Sequence, residues 1–227
     1  MADIHYLDEP LETEGLLELL CPPVRNWFKD KFPDFTEPQK LAIPAIMDQE
    51  HLLLCSPTGS GKTLTAFLTI IDQLVRRALD NKLDKRVYCV YISPIKALAN
   101  DIQRNLIGPL TEISETYLPS RAQEIRVGLR TGDTPQSERQ KMLRNPPHIL
   151  ITTPESLAIA ITSPRFQPIV SEVEYMIVDE LHSLVPTKRG VHLALTLSYL
   201  DTLLNRPVQR IGISATMEPL ETVAEYL

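Results

Sequence analysis

Residues 51–75 constrain the fold more than any other stretch of the chain. They read as an apolar run, His51 to Cys55 ("HLLLC"), then "SPTGSGKT" over 56–63, then "LTAFLTIIDQLV" over 64–75. A short apolar strand that passes through a glycine turn directly into a helix needs covered faces and parallel neighbours. The same alternation continues downstream. Strands are expected over 86–93, 124–129, 148–152, 175–179 and 208–214. Helices are expected at 12–31, 37–48, 64–78, 95–117, 134–144, 154–162 and 189–204, with another from 219. Pro44 and the pair Gly108-Pro109 are the expected bends or breaks. Strand and helix in alternation imply an α/β fold, an open, mostly parallel sheet with helices on both faces. Ligands of such sheets bind beyond the carboxyl ends of the strands. Those ends carry "SPTGSGKT", "SPIKAL", "TTPES", "DELH" and "SAT".

Composition narrows the class. The chain has 227 residues and is 43% hydrophobic, enough for one ordinary core. The formal charge of −6 is already present in the first twenty residues, as Asp3, Asp8, Glu9, Glu12, Glu14 and Glu18 without a single Lys or Arg. Residues 21–227 therefore sum to zero, and nucleic-acid binding through bulk positive charge is excluded. The three cysteines, Cys21, Cys55 and Cys89, are odd in number and widely spaced. They argue against a disulfide framework or a structural zinc site and for a reducing compartment. No run of about 18 apolar residues exists, so a soluble, cytoplasmic protein with no membrane partner is expected.

The run 56–63 has the order that phosphate binding requires: strand, tight loop of backbone N–H groups, helix N-terminus. Candidate ATP-binding residues are Pro57, Thr58, Gly59, Ser60, Gly61, Lys62 and Thr63. The two glycines let backbone approach phosphate. Lys62 would reach the β and γ phosphates, and the Thr63 hydroxyl would hold Mg²⁺. Ser56 stands where the usual pattern has glycine. This loop alone does not choose among kinases, GTPases, transporters and motors. "MIVDELH" (176–182) narrows the choice, because Asp179 at a strand end is placed for Mg²⁺ and Glu180 for accepting a proton from an attacking water. Lys62, Asp179 and Glu180 are the catalytic candidates, and Thr63 and Asp179 the metal candidates.

Taken together, these motifs resemble superfamily 2 helicases. "FPDFTEPQ" (32–39) looks like an adenine-recognition segment, "SPTGSGKT" motif I, and "SPIKALAND" (93–101) motif Ia. "RTGDT" (130–134) looks like the following nucleic-acid segment, "TTPESL" (152–157) motif Ib, "DELH" (179–182) motif II and "SAT" (214–216) motif III. The longer stretches around "RTGDT" and "DELH" resemble the Lhr-type (large helicase-related) branch, over about residue 25 to the end. The resemblance implies a RecA-like P-loop NTPase fold, with Gln39 bonding the adenine edge and Phe32 stacking on its ring. It implies contacts to the sugar-phosphate backbone from Pro94, Lys96, Arg130, Thr131, Gly132 and Thr134, and from Thr153, Pro154, Glu155 and Ser156. It implies coupling through His182, Ser214 and Thr216. DNA is the expected partner rather than RNA.

The family has two RecA-like domains with ATP between them. The chain is expected to supply the first, over 25–227, behind an acidic helical segment over 1–24. A second RecA-like domain and accessory domains would follow in a longer protein. The alternative is a nucleotide-gated binding, translocating or annealing module that does not separate strands. Arg139, Lys141 and Arg144, and also Lys188 and Arg189, read equally well as solvated helix surface.

Overall fold

The computed structural model describes residues 4–57, 59–94, 99–206, 208–216 and 218–227. Six strands form one sheet: β1 (Leu52–Cys55), β2 (Cys89–Ile92), β3 (Val127–Arg130), β4 (Ile149–Thr152), β5 (Tyr175–Val178) and β6 (Gln209–Ser214). Their spatial order is β1-β6-β5-β2-β4-β3, and every pairing is parallel. The registers Tyr91↔Ile177 and Ile92↔Val178 set β2 directly beside β5.

Both faces are covered, as near-continuous apolar strands require. Cys89 and Tyr91 of β2, with Tyr175 and Ile177 of β5, point into one core beneath helices Thr13–Leu19, Pro22–Lys31, Glu37–Met47 and Lys62–Leu79 and the helical run 99–117. Val90 and Ile92, with Met176 and Val178, point into the other, beneath helices that include Pro154–Ile161, Leu181–Leu184 and Lys188–Leu203. Four-residue helices at Gln167–Val170 and Leu181–Leu184 were not legible, since one turn carries no 3.6-residue periodicity.

The expected breaks are absorbed. Pro44 lies inside helix Glu37–Met47 and donates nothing to the Lys40 carbonyl. That carbonyl instead accepts the Leu11 N–H at 3.1 Å, so the N-terminal segment supplies the bond that proline removes. Ahead of Pro109 the helix widens, with the Gly108 N–H bonding the Gln103 carbonyl five residues back. The N-terminal segment packs against the sheet's own core. Leu16, Leu20 and Cys21 are buried in the same core as the sheet, and the buried Asp72 carboxylate accepts the Cys21 N–H at 2.6 Å. Residues on both sides of position 24 therefore contribute to one core.

Candidate functional site

Parallel strands bring all six carboxyl ends to one edge, and the strand order sorts them. β1, β6 and β5 set "SPTGSGKT", "SAT" and "DELH" side by side, while β2, β4 and β3 set the Pro94, "TTPES" and "RTGDT" segments side by side. In the sequence the two groups interleave.

The loop after β1 has the backbone that its glycines allow. Gly59 and Gly61 have φ of 85° and 86°, a region open to glycine and strained for other residues. A side chain at Gly61 would also meet Gln39 Nε2 at 3.0 Å. Ser56 closes the loop by bonding Ser60, hydroxyl to hydroxyl at 2.6 Å, a contact glycine cannot make. Lys62 begins an 18-residue helix and curls back, donating to the carbonyls of Ser56 and of Pro57, the latter at 2.7 Å. Burial pushes its ammonium below the ordinary lysine range, while Asp179, Cys55 and Glu180 pull the other way. Thr63 is half-buried beside it, and Thr58 lies outside the described residues.

Asp179 is 5% exposed. Its Oδ2 accepts the Tyr91 hydroxyl and its Oδ1 the Glu180 N–H at 2.7 Å. Burial pushes the carboxyl up to about 6, although both of those bonds pull it down. Glu180 has a left-handed backbone, φ 56° and ψ 39°, uncommon for a residue with a side chain and frequent where a functional group must be aimed. Its Oε2 lies 3.1 Å from His182 Nε2. Ala215 donates its N–H to His182 Nδ1 at 3.1 Å, which leaves the ring proton on Nε2, facing Glu180. Ser214 Oγ is 3.5 Å from the same Nδ1, and Thr216 is exposed. The "DELH" and "SAT" segments thus meet through an imidazole and a backbone N–H.

Gln39 is buried, and its Oε1 accepts the Thr36 N–H at 2.9 Å, a helix-capping bond. The Thr36 hydroxyl donates to the Ser60 carbonyl at 3.1 Å and ties this segment to the phosphate loop. The Phe32 ring packs on Phe28 and Trp27, with centroids at 5.0 and 5.7 Å.

Beyond β2, β4 and β3, much of the polar chemistry is spent on fixing the loops. The Arg130 guanidinium lies over the Phe166 ring at 4.6 Å. Thr134 Oγ1 accepts the Thr131 N–H at 2.8 Å. Arg139 donates to the carbonyls of Thr134, Gly132 and Thr131 at 2.9, 3.0 and 3.2 Å. Thr153 caps helix Pro154–Ile161, and its hydroxyl donates to Ser156 Oγ at 3.0 Å. Arg189 grips Glu155 at 2.6 Å and the Pro94 carbonyl at 3.0 Å. Gly132 is exposed, and Lys96 lies outside the described residues.

Sequence reasoning missed Tyr91, Thr36 and the bridging role of Arg189. Tyr91 sits in an apolar strand pattern and reads as core. Thr36 with Gln39 does carry the capping-box spacing and was findable. Arg189 carried only charge as a signal.

Among the described residues no helix is long and apolar enough to cross a membrane. The chain matches the family described as DEAD/DEAH box helicase over residues 36–224. It is 50% identical to the ATP-dependent helicase Lhr-Core of Methanocaldococcus jannaschii, over 100% of this chain and 27% of that protein. It is 45% identical to the Lhr helicase/uracil glycosylase of Escherichia coli, over 97% of this chain and 15% of that protein. A structure of Mycobacterium smegmatis helicase Lhr bound to ssDNA and AMP-PNP superposes with a TM-score of 0.83 at 45% identity, covering 93% of this chain and 27% of that one. The DEAD-box helicase Mss116, at 22% identity and a TM-score of 0.78, shares the RecA-like fold.

Proposed function

This chain belongs to the DEAD/DEAH box helicases, with its likeness to the Lhr-type members, and from that premise we propose that it is the first RecA-like motor domain of a DNA helicase. It binds Mg-ATP beyond β1, β6 and β5 and one nucleic-acid strand beyond β2, β4 and β3. The observation that carries this reading is the convergence at one strand edge of the phosphate loop with Asp179 and Glu180, both close enough to act on the Lys62 charge. The mycobacterial relative holding ssDNA and AMP-PNP supports both halves.

Lys62 exchanges the carbonyls of Ser56 and Pro57 for phosphate oxygens when nucleotide enters. The loop N–H groups and the helix N-terminus add positive potential at the same place. Asp179 offers a buried carboxylate whose bonded partners are a hydroxyl and an N–H, and Thr63 a half-buried hydroxyl, a donor set that fits Mg²⁺. The ion, when bound, neutralises charge developing on the phosphates. Glu180, aimed by its backbone and held by His182 Nε2, accepts the proton of the attacking water. Because His182 also receives the Ala215 N–H, a shift at Glu180 reaches the end of β6. Phe32 and Gln39 frame the adenine side.

Hydrolysis and strand separation belong to the longer protein, in which a second RecA-like domain closes the cleft and contributes arginine fingers, worth ~10³-fold or more in related phosphoryl transfers. The cytoplasm is the compartment this reading assigns. The test is Mg-ATP binding and turnover by the 227-residue chain, with and without single-stranded DNA. Nucleotide binding with almost no turnover is expected in both conditions. DNA-stimulated turnover of several per second by this chain alone would overturn the need for a second domain.

A further inference from the structure

Arg189 opens helix Lys188–Leu203 and reaches across two other elements. Its Nη2 donates to the Pro94 carbonyl, just past β2, at 3.0 Å. Its Nε and Nη2 donate to the two Glu155 carboxylate oxygens, in the first turn after β4, at 2.6 and 3.3 Å. A planar, multi-donor fork meets a carbonyl and both oxygens of a carboxylate at once, in directions fixed by its plane.

The base of the fork is itself fixed. Thr187 caps the helix, accepting the Gly190 N–H at 3.3 Å and donating to the Leu184 carbonyl at 2.8 Å. Gly190 lies so close to the preceding helical turn that a Cβ there would come within 2.2 Å of the Leu184 oxygen. Leu181–Leu184 follows Glu180 directly. Arg189 therefore stands on the segment that leaves the candidate catalytic acids and holds the candidate strand-binding loops after β2 and β4.

We propose that Arg189 is a positioning residue for nucleic-acid binding. It sets the spacing of the loops at Pro94 and Glu155 and neutralises the Glu155 carboxylate, which would otherwise repel a phosphate placed there. The inference rests on the reading of this edge as the nucleic-acid surface. Arg189 acts here through the loops, with its Nε and Nη2 committed to Pro94 and Glu155, and the salt series below separates this role from a direct phosphate contact through Nη1.

The experiment is the affinity of the 227-residue chain for a fluorescently labelled oligo-dT across a salt series, for the unmodified chain, R189Q, R189K, E155Q and R189Q/E155Q. Binding of a non-hydrolysable ATP analogue reports an intact fold in each. R189Q and R189K should each weaken binding about tenfold at a given salt, and R189Q/E155Q no more than R189Q, as expected for partners acting as one unit. The slope of log affinity on log salt should stay unchanged in R189Q, whereas loss of one direct phosphate contact lowers it by about 0.7. Full affinity in R189K, a slope reduced by that amount, or additive losses in the double variant would each overturn the role of Arg189 and leave the surface assignment standing. No binding by the unmodified chain would overturn the surface itself, and this inference with it.

Discussion

Strand β5 has a buried carboxylate at each end, and the two are handled in opposite ways. Glu174 precedes the strand and Asp179 follows it, and each is 5% exposed. Three guanidinium groups surround Glu174: Arg77 in a two-bond fork at 2.7 Å, Arg86 at 2.7 Å and Arg206 at 3.1 Å. Burial pushes Glu174 up, but these bonds outweigh it and hold the carboxyl below its usual range. Asp179 has a hydroxyl and an N–H as bonded partners, and burial carries it up to about 6. A buried carboxylate with no cation bonded to it is costly to the fold, even with the Lys62 charge nearby. One end of the strand is electrostatically finished, and the other is completed by what binds there.

The largest effect should come from the ligand-completed end. Glu180→Gln in a longer protein with both RecA-like domains should retain ATP affinity and lose about 10²–10⁴-fold in hydrolysis, measured as single-turnover phosphate release. Unchanged turnover would remove Glu180 as the base. At the finished end, Glu174→Ala should cost about 3 kcal/mol, because three arginines lose a shared partner. Urea unfolding measures this, and a cost under about 1 kcal/mol would dissolve the contrast, since that is the range of an exposed pair.

His148, fully buried at the same edge as Glu174, shows a third solution, which is to stay neutral. Burial, then the nearby Arg126 charge, lowers it to about 4 from 6.5. Between those values the unfolded chain binds the proton and the folded one does not, so stability rises with pH across the window. Lowering the pH from 7 to 4 should remove about 3 kcal/mol, and His148→Gln should flatten that part of the profile. Lys62→Ala should weaken ATP binding by about 1.5–3 kcal/mol, the range for hydrogen bonds to charged groups, as read by calorimetry. Unaltered affinity would remove the phosphate-loop assignment. The smallest effect sharpens the comparison most. Asp179→Asn should leave the ligand-free fold unchanged or raise its stability by about 1 kcal/mol at neutral pH, opposite in sign to Glu174→Ala, while abolishing the Mg²⁺ dependence of nucleotide binding.

Much of this architecture was legible because it is local. Apolar runs at 52–55, 149–152 and 175–178 could only be buried strands, and the glycines at 59 and 61 fixed a loop that other residues cannot enter. The sequence by itself determined the alternation of strand and helix, the parallel sheet, and the chemistry stationed at each strand end. It did not determine which ends are neighbours. β5 lies between β6 and β2, so Asp179 meets a tyrosine from 88 residues earlier and His182 meets the backbone of Ala215. Nor did it show that a proline inside a helix leaves a carbonyl for Leu11, or that Arg189 would span two loops. The reason is physical. Periodicity and turn chemistry follow from a residue and its near neighbours along the chain. The partner of a hydroxyl, an imidazole or a guanidinium follows from which strands the crossovers set side by side, and that is decided only when the two cores close on the sheet.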